Sequence, residues 1–188
     1  MKKYKVAVIV GSLRKDSYNL KLAKALARLS AQKLDFNIVK IADLPLFNQD
    51  LEAEFPASAL RLKQEIEAAD AVLFVTPEYN RSIPAPLKNA IDWCSRPYGK
   101  NSFSQKPTAI CGASVGTIGT ACAQQALKPI LVYLDVILMG QPEVYFHFKE
   151  NAIDADGKIN DANTEKFLQS FVDRFVAWIE KYSFNKEV

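Results

Sequence analysis

Short apolar runs rich in β-branched residues alternate along the chain with longer stretches in which apolar positions recur every three or four residues. The runs predict strands over Tyr4 to Val10, Phe36 to Ile41, Ala71 to Thr76 and Thr108 to Cys111, and a last one from Val136 to Met139 running on towards Phe148. Three of them are continuously apolar without alternation, as expected of strands covered on both faces. The intervening stretches predict helices. Ser17 to Leu34 sets Leu20, Ala23, Leu26, Ala27 and Leu34 on one stripe, and Ser58 to Ala69 does so more weakly with Leu62, Ile66 and Ala69. Pro86 to Ser95 forms a third helix. A fourth, from about Thr117 to Leu134, meets Pro129, which predicts a kink or restart because proline lacks the N–H and crowds the preceding turn. The fifth, Thr164 to Tyr182, has the widest apolar face, with Phe167, Leu168, Phe171, Val172, Phe175, Trp178 and Ile179 at spacings of three and four, and reads as a covering helix.

Alternating strands and helices predict a parallel sheet, because each parallel pair needs a crossover connection. A length of 188 residues fits one domain over 1–188, without an internal repeat or low-complexity linker. Five β–α units of this length fit an α/β, flavodoxin-like, doubly wound five-stranded parallel sheet with strand order 2-1-3-4-5 and helices on both faces. In such a sheet a ligand sits beyond the carboxyl ends of the strands where the order reverses, beside strands one and three.

Composition narrows the chemistry. Hydrophobic residues are 49% and charged residues 24%, as in soluble globules, and 24 Lys+Arg against 21 Asp+Glu gives +3 without a basic run. No nucleic-acid partner is expected. The single His147 excludes a His-rich metal site, and Cys94, Cys111 and Cys122 lie too far apart for a CxxC pair, so no metal is expected and the cysteines read as structural in a reducing compartment. The apolar run after Lys2, Lys3 and Lys5 is too short for a secretion signal, and Pro129 to Met139 is too short and too interrupted for a membrane span. A cytoplasmic protein is expected.

Three loops fall at the predicted binding edge. After strand one, Gly11-Ser12-Leu13-Arg14-Lys15-Asp16-Ser17-Tyr18-Asn19 leads into a helix whose free N–H groups and dipole favour an anion. Hydroxyls at Ser12 and Ser17, an amide at Asn19 and a guanidinium at Arg14 suit a terminal phosphate monoester. The same residues also fit a plain helix N-cap at Asp16 or Ser17 with solvated charges. Neither GxGxxG nor GxxxxGK[ST] occurs there, so neither a dinucleotide pyrophosphate nor a P-loop nucleotide is indicated. After strand three, Thr76 to Pro86 carries three prolines that stiffen it, and Glu78, Tyr79 and Asn80 present groups to the edge of a planar heterocycle. After strand four, Gly112-Ala113-Ser114-Val115-Gly116-Thr117-Ile118-Gly119-Thr120 lets a flat ligand approach the backbone. Each loop alone also reads as turn or helix-start punctuation. Together they suit a flat ring with a phosphate tail, and FMN meets all three requirements.

The strings Gly11-Ser12-Leu13-Arg14-Lys15-Asp16-Ser17-Tyr18-Asn19, Pro77-Glu78-Tyr79-Asn80-Arg81-Ser82-Ile83-Pro84 and Leu87-Lys88-Asn89-Ala90-Ile91-Asp92-Trp93 resemble those of the NAD(P)H-dependent FMN reductase family, the flavodoxin-like group of chromate and quinone reductases. The resemblance covers nearly the whole chain. It implies FMN as cofactor and NAD(P)H as donor, with Ser12, Leu13, Arg14, Ser17, Tyr18 and Asn19 around the FMN phosphate. It also implies Pro77, Glu78, Tyr79 and Asn80 along the isoalloxazine and Ser114 near the ring. It further implies a homodimer or larger assembly, such as a tetramer, with the flavin near a subunit interface. Many relatives have glycine where this chain has Ala85, proline in place of Val115, and arginine and an aromatic in place of Cys122 and Gln125.

The reading that follows is an oxidoreductase passing two electrons from NAD(P)H by way of FMN to a small acceptor such as a quinone, or chromate, azo or nitro compounds, in a ping-pong cycle. The cofactor carries the chemistry, so no catalytic side chain is expected and His147 reads as structural. The alternatives are a flavodoxin-like electron carrier, which would need a strongly charged docking face, and a flavin-binding regulatory protein without turnover.

Overall fold

The structure, a computed structural model, describes residues 3–183. Six strands form one parallel sheet: β1 (Tyr4–Val10), β2 (Leu34–Ile38), β3 (Ala71–Val75), β4 (Pro107–Ser114), β5 (Ile137–Leu138) and β6 (Val144–His147). Their order is β2-β1-β3-β4-β5, with β6 also paired to β4. The doubly wound order expected from the sequence is the one observed. The predicted last strand is two strands: β5 pairs with Pro107 and Thr108 at the start of β4, and β6 with Cys111 to Ser114 at its end. Gly140 to Glu143 separates them.

Five helices cover the sheet: α1 (Tyr18–Ser30), α2 (Ala57–Glu67), α3 (Ala85–Cys94), α4 (Ala121–Tyr133) and α5 (Ala162–Ser183). One apolar cluster packs Leu22 and Leu26 of α1 and Phe171, Val172, Phe175 and Ile179 of α5 against Val6, Val8, Leu73 and Val75. The other packs α2, α3 and α4 through Leu62, Ile66, Leu87, Ile91, Leu127 and Leu131 against Ala7, Ile9, Val72 and Phe74. Successive residues of β1 and β3 thus enter opposite layers, which is why both strands are apolar throughout.

Two local expectations are corrected. Strand β2 starts at Leu34 and ends at Ile38, so α1 stops sooner than the apolar stripe suggests; Val39 and Ile41 stay buried as loop residues against the second cluster. Helix α4 runs through Pro129 without restarting. Buried Leu127 and Leu131 flank the proline and hold its turn against the sheet, which offsets the missing hydrogen bond.

The register sets the level of the loops. Val10 faces Val75, and Val75 faces Cys111, so the chain leaves β1, β3 and β4 along one edge. The ladder continues briefly into the loops, with Gly11 N–H donating to Val75 O at 2.9 Å and Thr76 N–H to Cys111 O at 3.0 Å. Gly112 is obligatory here, since a Cβ would lie 2.2 Å from Thr76 O and 2.3 Å from Thr120 Oγ1.

Candidate cofactor cleft

The three loops enclose a cleft of about 170 Å³ lined by Ser12, Arg14, Tyr18, Asn19, Pro77, Glu78, Tyr79, Ala113, Ser114 and Val115. Its lining residues Tyr79 and Val115 are exposed, so this is an open trough and not a closed chamber. Ser12, Arg14, Tyr18, Asn19, Pro77, Glu78, Tyr79 and Ser114, singled out from the sequence, meet there. Leu13 is half exposed on the outer side of its loop, Ser17 is buried beneath the cleft, and Asn80 forms the tip of a turn; none of the three lines the trough. Ala113 and Val115 do line it, and the small-residue loop around Ser114 is the signal that marks them.

The first wall is the start of α1. Ser17 is its N-cap, with φ −82° and ψ 123°, and its hydroxyl oxygen accepts from Leu20 N–H at 3.2 Å. The N–H groups of Tyr18 and Asn19 precede the first intrahelical bonds and point outward from the helix end. The first turn of α1 contains no acidic residue. Asp16, just before it, is paired with Lys21 at 2.6 Å, and that hydrogen bond holds its carboxyl below the usual range. The Arg14 guanidinium lies 5.3 Å from the Tyr18 ring centroid, and the same ring meets Phe148 at 4.5 Å. The positive end of the helix, Arg14 and the Ser12 hydroxyl therefore share one corner.

Asn19 is engaged elsewhere than its sequence position suggests. Its side-chain nitrogen donates to Ala113 O at 3.0 Å, and its side-chain oxygen accepts from Ala113 N–H at 2.9 Å. The β3–β4 pairing has ended at Cys111, so Ala113 lacks a strand neighbour on that side, and the Asn19 amide takes its place. The amide joins the first wall to the third.

The second wall is a tight turn. Tyr79 and Ser82 exchange backbone hydrogen bonds at 3.0 Å in both directions, with Asn80 and Arg81 left-handed at φ 51° and 63°. Asparagine tolerates that conformation, but Arg81 stands where glycine would be unstrained. The turn presents the Tyr79 ring, 45% exposed, at the mouth of the cleft. Glu78 turns its carboxylate away, with Oε2 accepting from Ala123 N–H at 3.1 Å and Oε1 lying 3.4 Å from Arg81. In the third wall, Ser114 Oγ accepts from Gly116 N–H at 3.1 Å.

These residues fit FMN. A helix start without acidic residues, flanked by Arg14 and Ser12, suits a phosphate dianion. Pro77 and Tyr79 opposite Ala113, Ser114 and Val115 make a slot of flat and small groups that suits a planar ring. The cleft holds none of the cysteines: Cys94 and Cys111 are buried, and burial pushes the Cys94 thiol up to about 12 and the Cys111 thiol up as well. His147 is exposed on β6 opposite Ser114 and outside the trough. Among the described residues no group of three or more His, Cys, Asp and Glu could hold a metal ion.

Comparison with known proteins agrees with this geometry. The model of a family described as NADPH-dependent FMN reductase matches residues 4–151. A 2-hydroxy-1,4-benzoquinone reductase of a Burkholderia species is 52% identical over 175 residues, 93% of this chain and 96% of the relative. A quinone reductase of Pseudomonas putida is 52% identical over 178 residues, 94% of this chain and 95% of the relative. Among solved structures, that of FerB, a flavoenzyme NAD(P)H:(acceptor) oxidoreductase from Paracoccus denitrificans, superposes with a TM-score of 0.92 at 54% identity, covering 95% of this chain and 98% of that one.

Proposed function

This chain belongs to the NADPH-dependent FMN reductase family, and on that premise we propose that it oxidises NAD(P)H and passes the two electrons to a quinone. The observation that carries the reading is the convergence of three loops on one trough with an anion-favouring corner and a flat slot. FMN held there would supply the redox chemistry, hydride acceptance from the nicotinamide and two-electron donation to the acceptor.

The residues of the chain bind and orient. Ser12, Arg14 and the N–H groups at the start of α1 hold the phosphate, with Tyr18 packed beneath Arg14. Pro77 and Tyr79 on one side, and Ala113, Ser114 and Val115 on the other, hold the ring. The Asn19 bridge keeps the phosphate corner at a fixed distance from the ring slot. No acid or base among the side chains needs to move a proton for hydride transfer, consistent with the position of His147 outside the trough.

With the Pro77–Tyr79 loop on one side of the ring and the Ser114 loop on the other, one exposed face is left for nicotinamide and quinone to use in turn, which makes the cycle ping-pong. Exposed Leu13, Tyr79, Val115 and Ile118 come from the loops around the trough, and a second copy of the chain covers this apolar rim in a homodimer. No helix among the described residues is long and apolar enough to cross a membrane. The proposed acceptors are small diffusible molecules and the proposed compartment is the cytoplasm. Steady-state NAD(P)H oxidation at several fixed quinone concentrations tests the reading. Parallel double-reciprocal lines are expected; intersecting lines overturn the shared site, and no quinone-dependent oxidation overturns the assigned activity.

A further inference from the structure

Helix α4 starts without a cap of its own. Its N-cap Thr120, at φ −127° and ψ 31°, makes no side-chain cap bond, and its Oγ1 accepts instead from Gln124 at 2.9 Å. The acceptor comes from another loop: Glu78, 45 residues earlier, reaches the N–H of Ala123, the third residue of the helix. The Glu78 side chain is only 10% exposed, whereas Arg81, its ion-pair partner at 3.4 Å, is 67% exposed. Most of the support for this shielded charge therefore comes from the helix start, whose N–H groups and dipole favour an anion, and not from the solvated arginine.

The two ends of this contact belong to opposite walls of the cleft. Pro77, Glu78 and Tyr79 form one, and Ala113, Ser114 and Val115, which lead into α4, form the other. We propose that Glu78 is a positioning residue whose carboxylate latches the β3 loop to the N-terminus of α4 and so fixes the width of the slot that holds the flavin ring. The proposal rests on the FMN reading above for the identity of the ligand, but the latch exists in the protein without it. The role differs from the direct ring contact that the family strings imply for Glu78, since the carboxylate faces the helix.

A second consequence follows from charge. The carboxylate offsets the positive end of α4 beside the slot, so removing it makes the slot more positive and electron uptake there easier. Glu78→Gln keeps an acceptor for Ala123 N–H but loses the charge, whereas Glu78→Ala loses both.

Three readouts on wild type, Glu78→Gln and Glu78→Ala test this. In flavin-free protein, hydrogen exchange at the Ala123 amide should speed up at least about tenfold in Glu78→Ala and stay within about threefold in Glu78→Gln, as expected for the loss of one partly buried hydrogen bond. FMN should bind about tenfold more weakly to Glu78→Ala and within about threefold of wild type to Glu78→Gln. The midpoint potential of bound FMN should rise in both variants. Unchanged exchange and unchanged FMN affinity in Glu78→Ala overturn the latch, as does a Glu78→Gln variant that binds FMN as poorly as Glu78→Ala. Failure of the wild type to bind FMN would overturn the functional reading instead, with the exchange comparison still deciding the latch.

Discussion

Replacing Asn19 by alanine separates a fold role from a ligand role at one position. The residue is 3% exposed, and its side chain makes two hydrogen bonds, at 3.0 and 2.9 Å, to the carbonyl and N–H of Ala113. Alanine removes both and leaves two backbone groups of β4 unpaired in a shielded place. Each such group costs about 1–3 kcal/mol, so the loss should be about 2–5 kcal/mol if the two are partly relieved by water. That is a large share of the ~5–15 kcal/mol by which a domain is stable, and in a chain of 188 residues it lowers Tm by about 5–15 °C. The assay is thermal and urea unfolding of the flavin-free protein, so that lost FMN binding does not enter. Ser17→Ala is the control: it removes only the cap bond to Leu20, for about 1 kcal/mol. If Asn19→Ala melts within 1–2 °C of wild type (about 0.5 kcal/mol or less) yet binds FMN poorly, the amide serves the phosphate and the bridge argument is wrong.

Three further outcomes are expected. Gly112→Ala should cost at least about 2–3 kcal/mol or fail to accumulate as folded protein, because the new methyl meets Thr76 O at 2.2 Å; a normal Tm would contradict the close approach. Arg81→Gly should raise Tm by a few degrees, since glycine adopts φ 63° without the left-handed penalty of about 1 kcal/mol; a lower Tm would show that the arginine contributes more than its strain. In native protein a thiol reagent at mildly alkaline pH should modify the half-buried Cys122 and spare Cys94, whose thiol is held protonated by a pKa of about 12, and the fully buried Cys111. All three should react after unfolding, and rapid labelling of two or more before it would refute the burial.

The apolar pattern was enough to place β1, β3, β4 and α5, because those elements bury a face along their whole length and local periodicity reports burial. It misplaced β2, where Val39 and Ile41 are buried beyond the end of the strand although Val39 N–H still donates to Val8 O at 3.0 Å, and it could not see that Gly140 to Glu143 divides one apolar run into two strands on different halves of β4. At the cleft, the residue types and their loops were readable. The partners of Asn19 and Glu78 were not, since each lies 94 or 45 residues away and is a backbone group carrying no sequence signal. Ser17 illustrates the same limit: a serine before a helix reads equally as cap or ligand, and only its bond to Leu20 N–H shows that it caps.

The proposed reaction has FMN in this cleft mediating between nicotinamide and quinone in separate half-reactions. The most direct test mixes the FMN-loaded protein anaerobically with NADPH or NADH in the absence of any acceptor. The visible flavin band should bleach with oxidation of one equivalent of nicotinamide, and later addition of a quinone should restore it in full. A band that persists until quinone is present, or that bleaches and is not restored by quinone, would contradict the claim.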